Sequence, residues 1–140
     1  MILVVAGVFY RCLKNSVPEV LLFQRGKEDT GAGMFEFPGG KVEKGESDSQ
    51  ALIRELQEEI SVKVKVKEYL GSSEFQSPSG YKFKLKVYFV EGPVEQIVLL
   101  EHQQMKWVNR STFRMDELAE GDKPLIHSCF DYLDQIQAKN

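Results

Sequence analysis

One segment, residues 40–62, constrains the fold of this chain more than any other part of its sequence. Ser47 and Gln50 form an S-x-x-Q capping box there, which predicts that a helix begins at Ser47 and runs to about residue 60. At about 100° per residue, the apolar residues of that helix fall on one side of it. These residues are Leu52, Ile53, Leu56 and Ile60. We therefore expect an amphipathic helix with one face buried in a core.

Three glutamates, Glu55, Glu58 and Glu59, cluster on another side of the same helix, because residues three and four positions apart are neighbours. Like charges at this spacing destabilise a helix by about 0.2–0.5 kcal/mol per pair. A divalent cation that prefers oxygen ligands, such as Mg²⁺, compensates for that repulsion. A solvated acidic face is the alternative, and it would be favoured if these glutamates stood alone.

The whole segment follows the pattern G-x5-E-x7-R-E-L-x-E-E-x-S-V, from Gly40 to Val62. This pattern resembles the Nudix box, the signature of a family of metal-dependent pyrophosphohydrolases. Every specified position matches except one, where Ser61 replaces a glycine. The glycine and Glu46 at the family spacing favour a metal site over a solvated face. Because serine adopts the left-handed conformation only at an energetic cost, we expect a slightly different helix exit and an intact metal site.

Length and composition fit one globular domain spanning residues 1–140. The hydrophobic fraction of 42% and the charged fraction of 28% are ordinary for such a domain. A net charge of -3 provides no general attraction to nucleic acid or to an anionic membrane, so we expect neither as a stable partner. The apolar start lacks a basic leader, and no apolar run is long enough to cross a membrane. A cytoplasmic monomer or homodimer is expected.

The cysteines and histidines are too few and too separated to form a zinc motif. Cys12 and Cys129 are expected to be free thiols in a reducing compartment, with a single disulfide as the less favoured alternative. His127 is expected on a helix surface, and no role is assigned to His102.

Periodicity predicts the remaining elements. Strands are expected over residues 2–10, 20–24, 34–37, 62–66, 70–76, 81–90 and 105–108, with a turn at 38–40, a loop at 25–33 and a C-terminal helix over 123–138. The residues of that helix expected to face inward are Leu125, Cys129, Tyr132, Leu133 and Ile136. This mixture suggests α/β or α+β architecture. The resemblance implies an α/β Nudix fold, a mixed β-sheet sandwiched between α-helices.

Strict alternation in residues 81–90 places three lysines on the face opposite the apolar residues. These lysines are Lys82, Lys84 and Lys86. They could form a phosphate-attracting patch, but a solvated strand face or a charged edge is favoured.

The resemblance extends beyond the box, to the mutator-type (MutT-like) members, which hydrolyse nucleoside triphosphates, including oxidised ones. It rests on the sequence E-F-P-G-G-K at 36–41 and on E-H-Q at 101–103 followed by W-V at 107–108. The resemblance implies that Mg²⁺, with Mn²⁺ as a substitute, is held by the Gly39 carbonyl and by Glu55, Glu58, Glu59 and Glu101. Glu101 is implied as an extra ligand or as the general base, with a loop-surface carboxylate as the alternative.

Arg54, Glu46 and two glycines around the box have further implied roles, some with simpler alternatives. Arg54 would pair with a box glutamate and orient it, or form only a surface ion pair. Glu46 would lie outside the metal ligands. Gly39 and Gly40 could equally form a plain tight turn with positive φ.

The nucleobase pocket of mutator-type relatives corresponds here to Arg25, Glu36, Phe37 and Asp122. Phe37 is expected either to stack on the base or to pack in the core. The bacterial guanine-reading relatives tend to have asparagine where Asp122 stands. An ionised aspartate only accepts hydrogen bonds, which suits a base with exocyclic amino donors such as cytosine, whereas a protonated one donates and suits an oxidised purine.

The reaction implied is water attack on a nucleoside triphosphate between its α and β phosphates, releasing monophosphate and pyrophosphate. The ions would neutralise phosphate charge and lower the pKa of bound water. An ADP-ribose hydrolase is an alternative suggested by Pro78, although Ser77 to Gly80 also form an ordinary hairpin turn. The pattern also allows an RNA 5′-end pyrophosphohydrolase or a non-catalytic nucleotide-binding module. The complete glutamate cluster argues against the binding module.

Overall fold

A seven-stranded mixed sheet and two long helices make up the computed structural model, which describes residues 1–27, 29 and 31–139. The helices are α1 (Asp48–Ile60) and α2 (Ile126–Ala138). The strands are β1 (Ile2–Arg11), β2 (Glu19–Gln24), β3 (Phe35–Glu36), β4 (Gly39–Lys41), β5 (Lys65–Gln76), β6 (Lys82–Glu91) and β7 (Gln104–Val108). Short 3-10 helices cover Val94–Gln96, Met115–Glu117 and Lys123–Leu125.

Strand β1 lies at the centre of the sheet and separates two cores. The strand order is β3-β2-β1-β6-β5, with β4 paired to β1 and β7 paired to β2. β1 runs parallel to β6 and antiparallel to β2 and β4. Because successive strand side chains point to opposite faces, Val5 and Phe9 pack with α1, whereas Ala6 and Val8 pack with α2. The expected mixed sheet between helices is confirmed.

Two strand predictions need correction. The expected strands at 62–66 and 70–76 are one long strand, β5, with register irregularities between Val66 and Gly71. The expected turn at 38–40 is partly a strand, because β4 pairs with β1 through Val5 opposite Gly40. Glycine has no side chain to contribute to a hydrophobic pattern, so periodicity could not reveal this strand. Glu28 and Thr30 of the predicted 25–33 loop lie outside the described residues.

The C-terminal helix buries the side predicted for it. It begins at Ile126 and not at the expected residue 123, because Lys123–Leu125 form a 3-10 turn. Leu125 of that turn and Cys129 and Leu133 of α2 are buried, and Tyr132 and Ile136 are partly buried against the same core. Both cysteines are free thiols, as expected. In the described part of the chain, no helix is both long and apolar enough to span a membrane.

The lysine face of β6 covers the start of α1. Lys86 Nζ lies 3.2 Å from Asp48 Oδ2, and the Tyr88 hydroxyl donates to the same oxygen at 2.6 Å. Burial and the hydrogen bond to Asp48 raise the pKa of Tyr88. Lys86 therefore anchors the first turn of α1, where a carboxylate also interacts favourably with the helix dipole.

The exit of α1 corrects the expectation for Ser61. Ser61 adopts the left-handed conformation, with φ 60° and ψ 31°, and its N–H donates to the Gln57 carbonyl. It thus takes the conformation that a glycine would take. We expect Ser61→Gly to raise the free energy of unfolding by about 0.5–1 kcal/mol, because relieved strain outweighs the added freedom of the unfolded chain. Urea denaturation measures this, and a destabilised variant would contradict it.

Candidate active site

Helix α1 begins where the capping box predicts and buries the predicted face. Ser47 Oγ accepts the Gln50 N–H at 3.1 Å, and Gln50 Oε1 accepts the Ser47 N–H at 2.9 Å. Leu52 and Leu56 are fully buried, whereas Ile53 is partly buried. With this face fixed, the acidic face of α1 turns toward β3, β4 and the segment that precedes β7.

Arg54 organises the acidic side of the helix. Its Nε and Nη2 donate to the two carboxylate oxygens of Glu46 at 2.8 and 2.9 Å. Its Nη1 lies 3.0 Å from Glu55 Oε1 and 3.4 Å from Glu58 Oε2. Nη2 also donates to the Lys41 carbonyl of β4 at 3.0 Å. Arg54 therefore joins three glutamates of the box to the neighbouring strand, and is more than an isolated surface ion pair.

The paired charges of this network hold each other ionised. Hydrogen bonding to Arg54 lowers the pKa of Glu46, and the hydrogen bonds to Glu46 and Glu55 raise the pKa of Arg54. A bidentate arginine–carboxylate pair also restricts geometry more than a point charge does. Glu46 thus acts on the site through Arg54, consistent with a place outside the metal ligands.

Gly39 and Gly40 are required for space. Neither has positive φ, so the tight-turn alternative is wrong. A Cβ on Gly39 would lie 1.9 Å from the Val5 carbonyl oxygen of β1. A Cβ on Gly40 would lie 2.3 Å from the carboxyl carbon of Glu55. The two glycines therefore let β4 approach β1 and let Glu55 lie against the strand.

The segment between β6 and β7 brings Glu101 and His102 to the end of α1. The N–H groups of Val98 and Leu100 donate to the carbonyls of Ile60 and Glu59 at 3.0 and 3.1 Å. These carbonyls lie in the last turn of α1, where they have no partner within the helix. Glu101 is exposed, and it lines a cavity of about 210 Å³ together with Glu59.

Glu36 is the centre of a second polar group. Arg25 Nε donates to Glu36 Oε1 at 2.6 Å, and His102 Nε2 lies 3.0 Å from Glu36 Oε2. The same His102 nitrogen lies 3.8 Å from Glu59 Oε1. His102 thus connects a residue predicted for the nucleobase pocket with a residue predicted for the metal site.

Glu59 is a buried carboxyl group surrounded by other carboxylates. Burial, followed by the charges of Glu36, Glu101 and Glu55, raises its pKa. Its side chain is only 8% exposed, whereas that of Glu58 is 59% exposed. Among the described residues, no three histidine, cysteine, aspartate or glutamate side chains already converge around one ion position.

The donor set nevertheless fits a hard divalent cation. Its members are all oxygen donors, and the charge repulsion that raises the pKa of Glu59 is the kind that a cation relieves. Glu55, Glu58 and Glu59 would hold the ion, with the Gly39 carbonyl and Glu101 as further ligands.

Asp122 lies in a small cavity beside Arg25 and Glu36. The cavity, of about 60 Å³, is also lined by Phe37 and Phe75. Asp122 is 4% exposed, and burial followed by the Glu36 charge raises its pKa well above the usual range. Its Oδ1 is buried without a hydrogen-bond partner among the described residues.

Of the two alternatives expected for Phe37, the structure shows core packing. Phe37 is 3% exposed and packs in the core shared with α2. Phe75 is half-buried, lines the Asp122 cavity and stacks on Phe83 with ring centroids 5.1 Å apart. Core packing therefore describes Phe37 better than an open stacking surface, and Phe75 offers the more accessible ring.

Two residues of this region were missed from the sequence. His102 carried a signal, since it directly follows Glu101 and precedes a strand, but a lone histidine usually has a structural role. Phe75 belongs to an ordinary alternating strand, so its pattern could not separate a cavity wall from core packing.

A family model for the NUDIX domain matches residues 2–129 of this chain. The chain belongs to the Nudix family. It is a hydrolase acting on phosphoanhydride bonds, and its relatives are nucleotide pyrophosphohydrolases. Enzymes of this family generally use divalent metal ions. The mutator-type resemblance and the α/β fold are confirmed.

Similar proteins include enzymes with different named substrates. The CTP pyrophosphohydrolase of Escherichia coli K12 is 37% identical over 128 residues, covering 91% of this chain and 90% of that protein. An 8-oxo-dGTP diphosphatase of Haemophilus influenzae is 31% identical over 127 residues, covering 91% and 90%. The solution structure of the E. coli ORF135 protein has a TM-score of 0.73 at 34% identity, covering 93% of this Nudix chain and 89% of the other.

Proposed function

We propose that this Nudix hydrolase cleaves a cytosine nucleoside triphosphate between its α and β phosphates in a Mg²⁺-dependent reaction. The observation that carries the base assignment is the buried Oδ1 of Asp122, which has no hydrogen-bond partner among the described residues, in a residue that lines the small cavity. The similarity to a CTP pyrophosphohydrolase over most of both chains supports the same assignment.

The small cavity that contains Asp122 adjoins a larger groove. Arg25, Glu36, Gly39 and Phe75 line both the Asp122 cavity and an adjoining groove of about 530 Å³. The hairpin turn between β5 and β6 lines one side of the groove. A base held at Asp122 and leaning on Phe75 would direct its phosphates past Gly39, along β4, to the acidic face of α1.

Cytosine offers partners for either protonation state of Asp122. An ionised Oδ1 accepts from the exocyclic amino group of cytosine, and a protonated Oδ1 donates to its ring nitrogen N3. Leaving such a buried polar atom unpaired costs about 1–3 kcal/mol, which a matching base would recover. A base without suitable partners would leave that cost in place, so the atom discriminates between bases.

The protein residues would supply orientation and proton transfer. A bound Mg²⁺ ion supplies charge neutralisation and activates water when it is present. Arg54 orients Glu55 through a hydrogen bond of 3.0 Å and contacts Glu58 through the same guanidinium nitrogen. Glu101 is exposed and lines a cavity with Glu59, where it would accept the proton of an attacking water.

A substrate panel tests this proposal. Purified protein with Mg²⁺ is assayed for release of monophosphate and pyrophosphate from each ordinary ribo- and deoxynucleoside triphosphate, 5-methyl-dCTP, 8-oxo-dGTP and ADP-ribose. The highest kcat/KM is expected for a cytosine nucleotide. Preference for 8-oxo-dGTP would replace cytosine with an oxidised purine, and cleavage of ADP-ribose alone would refute the triphosphate assignment. No turnover of any compound would favour an RNA 5′ end or a binding module.

Asp122→Asn tests the pocket residue separately. Base preference in kcat/KM is expected to shift by about tenfold or more, while kcat on the best substrate stays within about threefold. Unchanged selectivity across the panel would remove Asp122 from the pocket. His127→Asn, at an exposed position on α2, is the control.

The same variant should change the pH dependence of stability. Because the folded-state pKa of Asp122 is raised, its contribution to stability is present below the unfolded pKa of about 4 and is lost as pH rises toward the folded value. Asp122→Asn removes this loss. Its free energy of unfolding relative to wild type should therefore be higher at pH 8 than at pH 4, measured by urea denaturation with a chelator present.

A further inference from the structure

His102 occupies an unusual position for the histidine of a surface segment. Its side chain is 4% exposed although Glu101 and Gln103 on either side of it are exposed. Its ring lies against Phe23, with centroids 5.4 Å apart. Nε2 points at Glu36 Oε2, 3.0 Å away, and lies 3.8 Å from Glu59 Oε1. Nδ1 is buried and has no partner among the described residues.

The backbone on both sides of His102 is tied to other elements. Before it, Leu100 N–H donates to the Glu59 carbonyl at the end of α1. After it, Gln103 N–H donates to the Gln24 carbonyl at 3.0 Å, and the Gln103 side chain donates to the Arg25 carbonyl at 2.9 Å. The imidazole is therefore held between the end of α1 and the end of β2.

The hydrogen-bond roles at Glu36 follow from its chemistry. An ionised carboxylate only accepts, so the hydrogen on His102 must be on Nε2, as that of Arg25 is on Nε. Each oxygen of Glu36 then has its own donor, at 2.6 Å from Arg25 and 3.0 Å from His102. Such charge-assisted bonds from two directions fix the rotation of a carboxylate plane.

We propose that His102 is a positioning residue for nucleotide binding, which fixes Glu36 in the orientation that the nucleobase pocket requires. The same imidazole also contacts Glu59. It therefore lies between the nucleobase end and the phosphate end of the cleft and contacts both. This role rests on the proposed place of Glu36 in the nucleobase pocket. Packing against Phe23 alone would not require a nitrogen directed at two carboxylates.

The experiment compares His102→Leu with His102→Gln. Leucine keeps the apolar contact with Phe23 but has no donor, whereas the amide nitrogen of glutamine can take the place of Nε2. His102→Leu should raise KM, and the dissociation constant of an α,β-methylene triphosphate analogue measured by calorimetry, by about tenfold or more. His102→Gln should restore most of both, and kcat should stay within about threefold.

A double-mutant cycle shows whether His102 acts through Glu36. In a Glu36→Ala background, which should itself raise KM, His102→Leu should have no further effect on KM. The same tenfold effect in that background would overturn the proposal. An unchanged KM in His102→Leu with a lowered Tm would also overturn it, because that result indicates packing alone.

Two controls keep the test decisive. His127→Leu changes the other histidine, which is exposed on α2, and should leave KM unchanged. If His102→Leu does not fold, His102→Asn replaces it, because its shorter amide does not reach Glu36. All variants are assayed on the triphosphate that wild type hydrolyses fastest. If the cytosine assignment fails, this test of His102 still applies. An unchanged KM in Glu36→Ala would overturn the proposal for His102.

Discussion

Glu58→Gln is expected to lower kcat by about a thousandfold while the fold stays intact. Loss of a charged ligand at the metal site removes several kcal/mol of charge stabilisation, which corresponds to a rate effect of about this size. The side chain is 59% exposed, and its contact with Arg54 is 3.4 Å long, so little stability depends on it. Initial rates at saturating Mg²⁺ and a thermal melt measure the two effects, with Tm expected within about 3 °C of wild type.

The control for this variant is Glu95→Gln, which neutralises an exposed glutamate in the 3-10 helix Val94–Gln96. It should keep the wild-type rate. A Glu58→Gln protein that retained more than about a tenth of the rate would show that Glu58 is not a metal ligand.

Alanine substitutions at the neighbouring Gly39 and Gly40 should have different effects, one on stability and the other on kcat. Gly39→Ala is expected to destabilise the protein by about 3 kcal/mol or more, because its Cβ would meet the Val5 carbonyl oxygen at 1.9 Å and only backbone movement relieves that contact. Gly40→Ala would meet the end of the Glu55 side chain at 2.3 Å, which can rotate away. We expect the fold to survive in this variant and kcat to fall by about a hundredfold, since Glu55 leaves its position beside Arg54.

Urea denaturation and steady-state kinetics separate these two outcomes. Gly45→Ala is the matched control, because Gly45 has φ of +88° and nothing within 4 Å of its added Cβ. Its expected loss is about 1–2 kcal/mol from the backbone conformation alone. A Gly39→Ala protein as stable as this control, or a Gly40→Ala protein with wild-type kcat, would contradict the steric account.

Local chemistry made the centre of the fold predictable. The capping box placed the start of α1, and the helical period separated its apolar face from its acidic face. Strand β4 was missed because Gly39 and Gly40 have no side chains, so their tertiary contact with β1 has no counterpart in a hydrophobic pattern. The backbone conformation of Ser61 was predicted incorrectly, because the left-handed conformation that ends α1 outweighs the preference of serine for other conformations.

The site was predictable only where spacing along the chain encodes it. The glutamates of α1 and Arg54 fall within one helix, so their proximity follows from helix geometry. The contact of Glu36 with His102 joins residues 66 positions apart, and it depends on the segment tied to the end of α1. The unpaired Oδ1 of Asp122 likewise results from packing that no short motif encodes.

The segment that carries Glu101 is tied to α1 through two backbone hydrogen bonds, from Val98 and Leu100. A deletion or insertion between these residues would move Glu101 along the helix end and out of register with Glu59. The groove beside the Asp122 cavity is lined by the hairpin turn from Ser77 to Gly80, whose hydrogen bonds are mainly internal. Insertions and deletions among related sequences should therefore occur mainly at the hairpin. Changes there can accommodate new substrates while the distances on the acidic side of the cleft stay the same.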